Sequence, residues 1–240
     1  MRKLALLIAF IIPITSVCGE LPEIPWPSLE RWRANFDKEY YCSIQEVATI
    51  SSSDKRAQQL ADLSVNYLKT MLHPAGNYLW LFEKWFGTYS KERFDTVLAN
   101  FINIKKTLDE QASFSYRCRH ETCEFNLVAY VSFYFDMPLK RVYLCPIFFE
   151  RPEKSRAAVI IHELSHMVVN TDDRCSDTGM TIGCNYNKKY GKSSALSLAR
   201  MFPNYAILAA QNYEYFAEDA AKAPAPPSSL QAPTFFRIVQ

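Results

Sequence analysis

The chain has 240 residues, 49% hydrophobic, 22% charged and 14% aromatic, which fits a globular protein of one large domain or two small ones. Only 6 glycines occur, which excludes collagen-like and glycine-rich low-complexity architectures. The 27 Lys and Arg against 25 Asp and Glu give +2, and without Arg2 and Lys3 the balance is neutral, which leaves no electrostatic footprint for nucleic acid or an anionic membrane.

Arg2 and Lys3 precede an apolar run, Leu4 to Ile12, that Pro13 breaks, with Ser16, Val17, Cys18 and Gly19 behind it. This is the layout of a secretory signal peptide over residues 1–19, too short to span a bilayer. Cleavage after Gly19 and cleavage after Cys18 both fit. Lipidation of Cys18 is disfavoured by the bulky Val17 before it. No other stretch reaches the roughly 20 apolar residues of a spanning helix. The expected product is therefore exported, secreted or periplasmic, with no integral membrane segment. Export also sets the reading of the cysteines. Without Cys18, six remain, Cys42, Cys118, Cys123, Cys145, Cys175 and Cys184, an even number that predicts three disulfides of open connectivity.

Residues 20–41 contain prolines and tryptophans without periodicity and are expected to form an N-terminal arm. Ser43-Ile-Gln-Glu46 is a capping-box pattern opening a helix that runs to about Leu72. Leu60, Leu63, Ser64, Tyr67, Leu68 and Met71 fall on one face of it. His73-Pro74-Ala-Gly76 ends that helix, and a second begins near Ser90, with Phe94, Val97, Leu98, Phe101, Lys105 and Leu108 turned inward. Three short aromatic and β-branched runs follow as strands, Phe114 to Cys118, Leu127 to Phe135 and Arg141 to Cys145. Helices return at about Ser155 to Val169, Ser193 to Met201 and Asn204 to Glu218. The tail, 220–240, is Ala- and Pro-rich and linker-like. No repeat and no internal linker divides 42–219, which predicts one domain there.

The chemistry sits at His162-Glu163-Leu164-Ser165-His166. Residues four apart on a helix share a face, so both imidazoles can address one metal ion, while Glu163 reaches a water beside it as general base. The preceding run, Ala157 to Ile161, suits a buried helix and argues against a surface helix with incidental histidines. A third ligand is needed. His73 precedes a proline at a helix end and His120 lies between Cys118 and Cys123, so a carboxylate is required from Asp172, Asp173, Asp177 or Glu214. Asp172 has the spacing of a metzincin ligand, but Val169 stands where those enzymes need a glycine to turn the chain back. Glu214 as ligand would make a gluzincin, whose usual sequence context is absent.

The stretch His162-Glu-Leu-Ser-His166, Thr171-Asp-Asp173, Tyr190-Gly191 and Asn212-Tyr-Glu214-Tyr-Phe216 resembles the deuterolysin (aspzincin) family of zinc endopeptidases, and most of all its peptidyl-lysine metalloendopeptidase branch. The likeness extends upstream through Trp85-Phe-Gly-Thr-Tyr89, Arg93, Cys118 and Cys123, Ala129-Tyr-Val131 and Val142-Tyr-Leu-Cys145, and so covers about 42–218. It implies an α+β fold, with a helical N-terminal part and a small sheet beside the active-site helix. It also implies one Zn²⁺ per chain on His162, His166 and an aspartate, with Glu163 as catalytic base and protein or peptide substrates.

The sequence departs from the family's Gly-Thr-x-Asp-x-x-Tyr-Gly motif. Asn170-Thr171-Asp172-Asp173 replaces its first half, and register on the threonine makes Asp173 the ligand, with Asp172 the fallback. A long insertion, Arg174 to Lys189, precedes Tyr190, which takes the role of oxyanion-stabilising tyrosine, with Tyr186 as the alternative. The resemblance pairs Cys42 with Cys118 and Cys123 with Cys145, and leaves Cys175 with Cys184 across the insertion. It also places Glu214 in the S1′ pocket, with Gln211 where the branch has a second acid, implying a preference for Lys or Arg at P1′ rather than a strict rule. A monomer without a folded pro-domain is expected. Two competing readings stand beside this one. The first is a zinc-bound binding protein without activity, which retention of Glu163 opposes. The second is a metzincin-like protease using Asp172.

Overall fold

The computed structural model describes residues 42–71, 79–110, 113–118, 123, 126–134, 137–175, 178 and 191–223. These belong to one unit, Glu39–Gln240. The expected signal peptide and N-terminal arm lie outside the described residues, as do His73, His120, Asp177, Cys184, Tyr186, Tyr190 and the tail beyond 223.

Helix α1 (Ile44–Met71) starts where Ser43 and Glu46 satisfy each other's backbone amides. The Ser43 N–H donates to Glu46 Oε2 at 2.7 Å, and the Glu46 N–H donates to Ser43 Oγ at 3.3 Å. Its buried stripe runs through Ala57, Leu60, Ala61, Ser64, Val65 and Leu68. Leu63 lies off that stripe and is 40% exposed, contrary to the expected face. α2 (Leu79–Phe86) was not expected from sequence, because eight mostly apolar residues show no period. It buries Leu81, Phe82, Trp85 and Phe86. α3 (Lys91–Asp109) is capped by Ser90 and buries Phe94, Val97, Phe101, Ile104 and Leu108. Ile104, not Lys105, takes the inner position; the Lys105 ammonium stays at the rim, paired with Asp62 and Asp109.

The sheet has three strands, β1 (Ser115–Cys118), β2 (Ala129–Tyr134) and β3 (Met137–Leu144), in the order β1-β3-β2. β3 pairs parallel with β1 (Ser115 with Arg141, Cys118 with Leu144) and antiparallel with β2 (Ala129 with Leu144, Tyr134 with Met137). Its start at Met137 makes it longer than the Arg141 to Cys145 run suggested. Among the described residues β1 and β2 are the two edges. Disulfides Cys42–Cys118 and Cys123–Cys145 tie the head of α1 to β1 and close the β2–β3 end, as the resemblance implied.

After a short α4 (Pro146–Glu150) comes α5 (Glu153–Val169), whose residues Ala157 to Ile161 are all buried. A helix apolar on every side must be central. α5 accordingly packs against α1, α3, β2, β3 and the last helix. α6 (Lys192–Met201), α7 (Pro203–Ala206) and α8 (Ala210–Ala220) complete the fold. The expected single helix from Asn204 to Glu218 is broken, because Ala209 is extended and bridges Asp172. No described helix is long and apolar enough to cross a membrane.

Candidate metal centre

One turn of α5 stacks His162 over His166, their Nε2 atoms 3.2 Å apart. Each Nδ1 has a partner on the far edge of its ring. His162 Nδ1 meets Glu214 Oε2 at 3.1 Å, and His166 Nδ1 meets the Thr171 carbonyl at 2.7 Å. A carbonyl only accepts, so the hydrogen-bond network assigns the His166 proton to Nδ1 and leaves Nε2 a lone pair. The carboxylate of Glu214 imposes the same tautomer on a neutral His162.

The third donor comes from the chain reversal after α5. Asn170 closes the helix in the left-handed region (φ 56°, ψ 43°), a conformation asparagine tolerates better than most residues. It makes the turn for which metzincins use glycine. Thr171 then folds back, its N–H donating to Ser165 O at 3.2 Å and its hydroxyl 2.7 Å from Ser165 Oγ. The next residue is clamped to the entry of α8. The Asp172 N–H donates to Leu208 O (2.8 Å), and the Ala210 N–H donates to Asp172 O (3.0 Å).

This clamp separates the two aspartates. The Asp172 side chain is 53% exposed and pairs with Arg174 at 2.9 Å. Asp173 Oδ1 faces inward, 3.3 Å from His162 Nε2 and 3.7 Å from His166 Nε2. One donor each from His162, His166 and Asp173 thus lies within 4.8 Å of the others. An ion with metal–ligand distances of about 2.0–2.1 Å in tetrahedral geometry sets its donors about 3.3 Å apart. Two imidazole lone pairs and a carboxylate at such spacing fit a borderline-soft divalent cation. Among the described residues this is the one group of His, Cys, Asp or Glu with that convergence.

Glu163 lies beside these donors, 4% exposed, and its Oε2 has no hydrogen-bond partner among the described residues. Burial pushes its carboxyl up to about 8; the His162 charge opposes the shift, while Asp173 and Glu214 add to it. Burial also acts on His162, downward, but its bonds to Asp173 and Glu214 outweigh burial and hold that imidazole well above the ordinary histidine range. His166, without a carboxylate bond, is lowered by burial and by His162.

A cavity of about 430 Å³ opens over this cluster, bounded by Asn126 to Val131 on the sheet-edge side and by Arg151, Glu214 and Tyr215 elsewhere. Glu214 therefore both faces the cavity and holds His162. Gln211 does not line it: 1% exposed, its amide donates to Arg174 O at 3.1 Å. Asn212, in the same motif, is fully buried and donates to Trp85 O and Ala195 O, tying α2 and α6 to α8. Ser165 and Arg151 were given no role from sequence, and Asn170 and Thr171 only a place in the motif that sets the register of Asp173. The asparagine directly after an apolar helix was the one local signal available for the reversal.

The aspzincin family model, described as lysine-specific metallo-endopeptidase, matches residues 75–218. The chain is similar to a peptidyl-Lys metalloendopeptidase of Armillaria mellea, 34% identical over 184 residues that make up 74% of this chain and 45% of the relative. An extracellular protease of Aeromonas hydrophila is 34% identical over 183 residues, 74% of this chain and 46% of the relative. The chain thus spans less than half the length of these two relatives. A solved zinc peptidase from Grifola frondosa aligns with a TM-score of 0.57 at 30% identity, over 75% of this chain and 98% of that one. The expected single-domain α+β architecture is the one these two share.

Proposed function

The chain belongs to the aspzincin family of metallopeptidases, and from that premise we propose that it is an exported zinc-dependent endopeptidase. The reading rests on one observation: donors of His162, His166 and Asp173 converge within 4.8 Å beside the buried carboxyl of Glu163. In it, these three residues hold one zinc ion per chain and leave the fourth position open, as catalytic zinc sites do. When bound, zinc polarises the scissile carbonyl and lowers the pKa of water to about 7.

The remaining steps belong to the protein's own groups. Glu163 takes the proton of the attacking water and returns it to the leaving amine; burial holds its carboxyl at about 8 without the ion, and the charge of a bound cation would lower it toward the ionised form that accepts a proton. Glu214 and the Thr171 carbonyl fix the ring orientation of His162 and His166. Tyr190 donates a hydrogen bond to the oxyanion, a contribution of about 3 kcal/mol for such a donor. Substrates are proteins or peptides, and the carboxylate of Glu214 in the cavity favours Lys or Arg at P1′. The printed name of the Armillaria mellea relative supports that preference. Export is supported by residues 1–19 and by the name of the Aeromonas hydrophila relative. Cys175 is disulfide-bonded, which supports the pairing with Cys184; in this reading the working unit is a monomer.

Zinc content and casein hydrolysis, compared between wild type and Glu163→Gln, test the reading. The expected result is stoichiometric zinc in both proteins and hydrolysis in the wild type alone, with a loss of roughly 10²–10⁴-fold in the variant. Zinc without hydrolysis in either protein supports a binding protein on this scaffold instead.

A further inference from the structure

The cavity is lined from α5 by Val159, His162, Glu163 and His166. Arg151 stands just before the helix and lines the same cavity, and its Nη1 lies 3.4 Å from Ser155 Oγ. Ser155 precedes His162 by seven residues, about 10 Å along a helix that rises 1.5 Å per residue. An extended peptide advances about 3.3 Å per residue. The guanidinium therefore addresses a substrate residue about three positions from a bond cleaved at the metal donors.

Of the carboxylates around this cavity, Glu163 lies beside the metal donors and the other three are committed elsewhere. Asp173 faces both imidazoles, Glu214 holds His162, and Asp172 pairs with Arg174. Arg151 forms no ion pair among the described residues. Its backbone is fixed, the N–H bonding Phe148 O and the carbonyl accepting from Arg156, so the side chain stands on a rigid base. Its charge also reaches Tyr215 on the same cavity wall, where it opposes the upward push of burial on the phenol. A guanidinium presents a planar fork of donors that matches a carboxylate through two parallel bonds.

We propose that Arg151 forms a carboxylate-binding subsite of the cleft, about three residues from the scissile bond, and selects peptides that carry an acidic group there. This rests on the endopeptidase reading. The group is a carboxylate in either case, whether an Asp or Glu side chain or a chain-terminal carboxylate.

Fluorescent peptides with a central Lys and Asp or Asn three residues to either side, each with a free or an amidated C-terminus, serve as probes. Their affinity for the zinc-loaded Glu163→Gln protein is read by anisotropy, so that binding is measured whether or not the wild type hydrolyses. The acidic peptide is expected to bind roughly tenfold tighter than its amide counterpart at one position. That ratio falls to about 1 when Arg151→Gln is added and is partly kept by Arg151→Lys, with all variants melting cooperatively. Discrimination between Asp and Asn assigns the side chain; discrimination between free and amidated termini assigns the terminus. In the wild type the same preference appears in KM rather than kcat. Equal affinities in the parent, or a ratio that survives Arg151→Gln, overturn the subsite. Absence of hydrolysis by the wild type with the binding ratio intact overturns the endopeptidase reading alone.

Discussion

The Glu214 carboxylate holds the Nδ1 edge of His162 at 3.1 Å across 52 residues of sequence, so α8 fixes an imidazole that α5 presents. A carboxylate behind a ligating histidine orients the ring and raises its basicity, and losing such a partner costs about 10–100-fold in metal affinity. Glu214→Ala is expected to weaken zinc binding by that factor, measured by chelator competition. Glu214→Gln keeps an acceptor oxygen for Nδ1 and loses only the charge, so zinc binding weakens less while the preference for Lys or Arg at P1′ flattens. A P1′ profile unchanged in Glu214→Gln, read from a digested peptide library, confines this residue to holding His162.

Asp172 and Asp173 are neighbours with opposite surroundings, which makes them a controlled pair. Asp173→Asn removes the charge that faces both imidazoles and is expected to abolish stoichiometric zinc at micromolar concentrations. Asp172→Asn loses a half-exposed ion pair with Arg174, worth about 0–1 kcal/mol, and leaves its backbone clamp to Leu208 and Ala210 intact. Zinc analysis after gel filtration separates the two, and equal zinc loss in both variants contradicts the inward role of Asp173.

The parts legible in sequence are those that local rules specify. The i, i+4 spacing stacks His162 over His166 whatever surrounds them, and Ser43 and Glu46 cap α1 through neighbouring atoms alone. Asn204 to Glu218 reads as one helix because no glycine or proline interrupts it after Pro203. The break at Ala209 exists because its extended backbone pairs with Asp172, a partner 37 positions away. The same distance problem hides Glu214 behind His162 and turns Gln211 toward the Arg174 carbonyl. β1 and β2 follow each other in sequence, yet β3 lies between them, since register across a sheet is decided by pairing and not by chain order.

Zinc and protons compete for the same atoms, so metal binding is expected to depend on pH. Without the ion, His162 is raised and Glu163 stands near 8, so both carry protons at neutrality. Folded values above the unfolded ones stabilise the zinc-free protein at acid pH, and that contribution is lost as pH rises through the folded values. Zinc requires the neutral imidazole and releases its proton. The zinc-free protein should therefore melt lower at pH 9 than at pH 6, while the rise in Tm on adding zinc grows over the same range. Calorimetry in buffers of different ionisation heat should record about one proton or more released per zinc at pH 7. Zinc affinity independent of pH between 6 and 8 contradicts this assignment.

The last expectation concerns a position remote from the chemistry. Gly87 ends α2 at φ +77°, its N–H bonded to Glu83 O at 3.0 Å. A Cβ there would lie 2.5 Å from the Ala199 carbonyl of α6 and 2.7 Å from the ring of Pro203, and neither is the free end of a flexible side chain. Gly191 offers the contrast, with φ +97° but no atom of the described residues within 4 Å of an added Cβ. Gly191→Ala should cost only backbone strain, about 1–3 kcal/mol, because φ +97° with ψ 162° is a conformation nearly restricted to glycine. Gly87→Ala adds an overpacking cost of about 1–3 kcal/mol to that penalty. At about 2–4 °C per kcal/mol for a domain of this size, its Tm should fall by about 4–24 °C, against about 2–12 °C for Gly191→Ala. The consequence reaches the cleft, because α6 supplies the Ala195 carbonyl that Asn212 of α8 engages, two residues before Glu214. Comparable melting temperatures for the two variants would show that α2 and α6 pack less closely than these distances require.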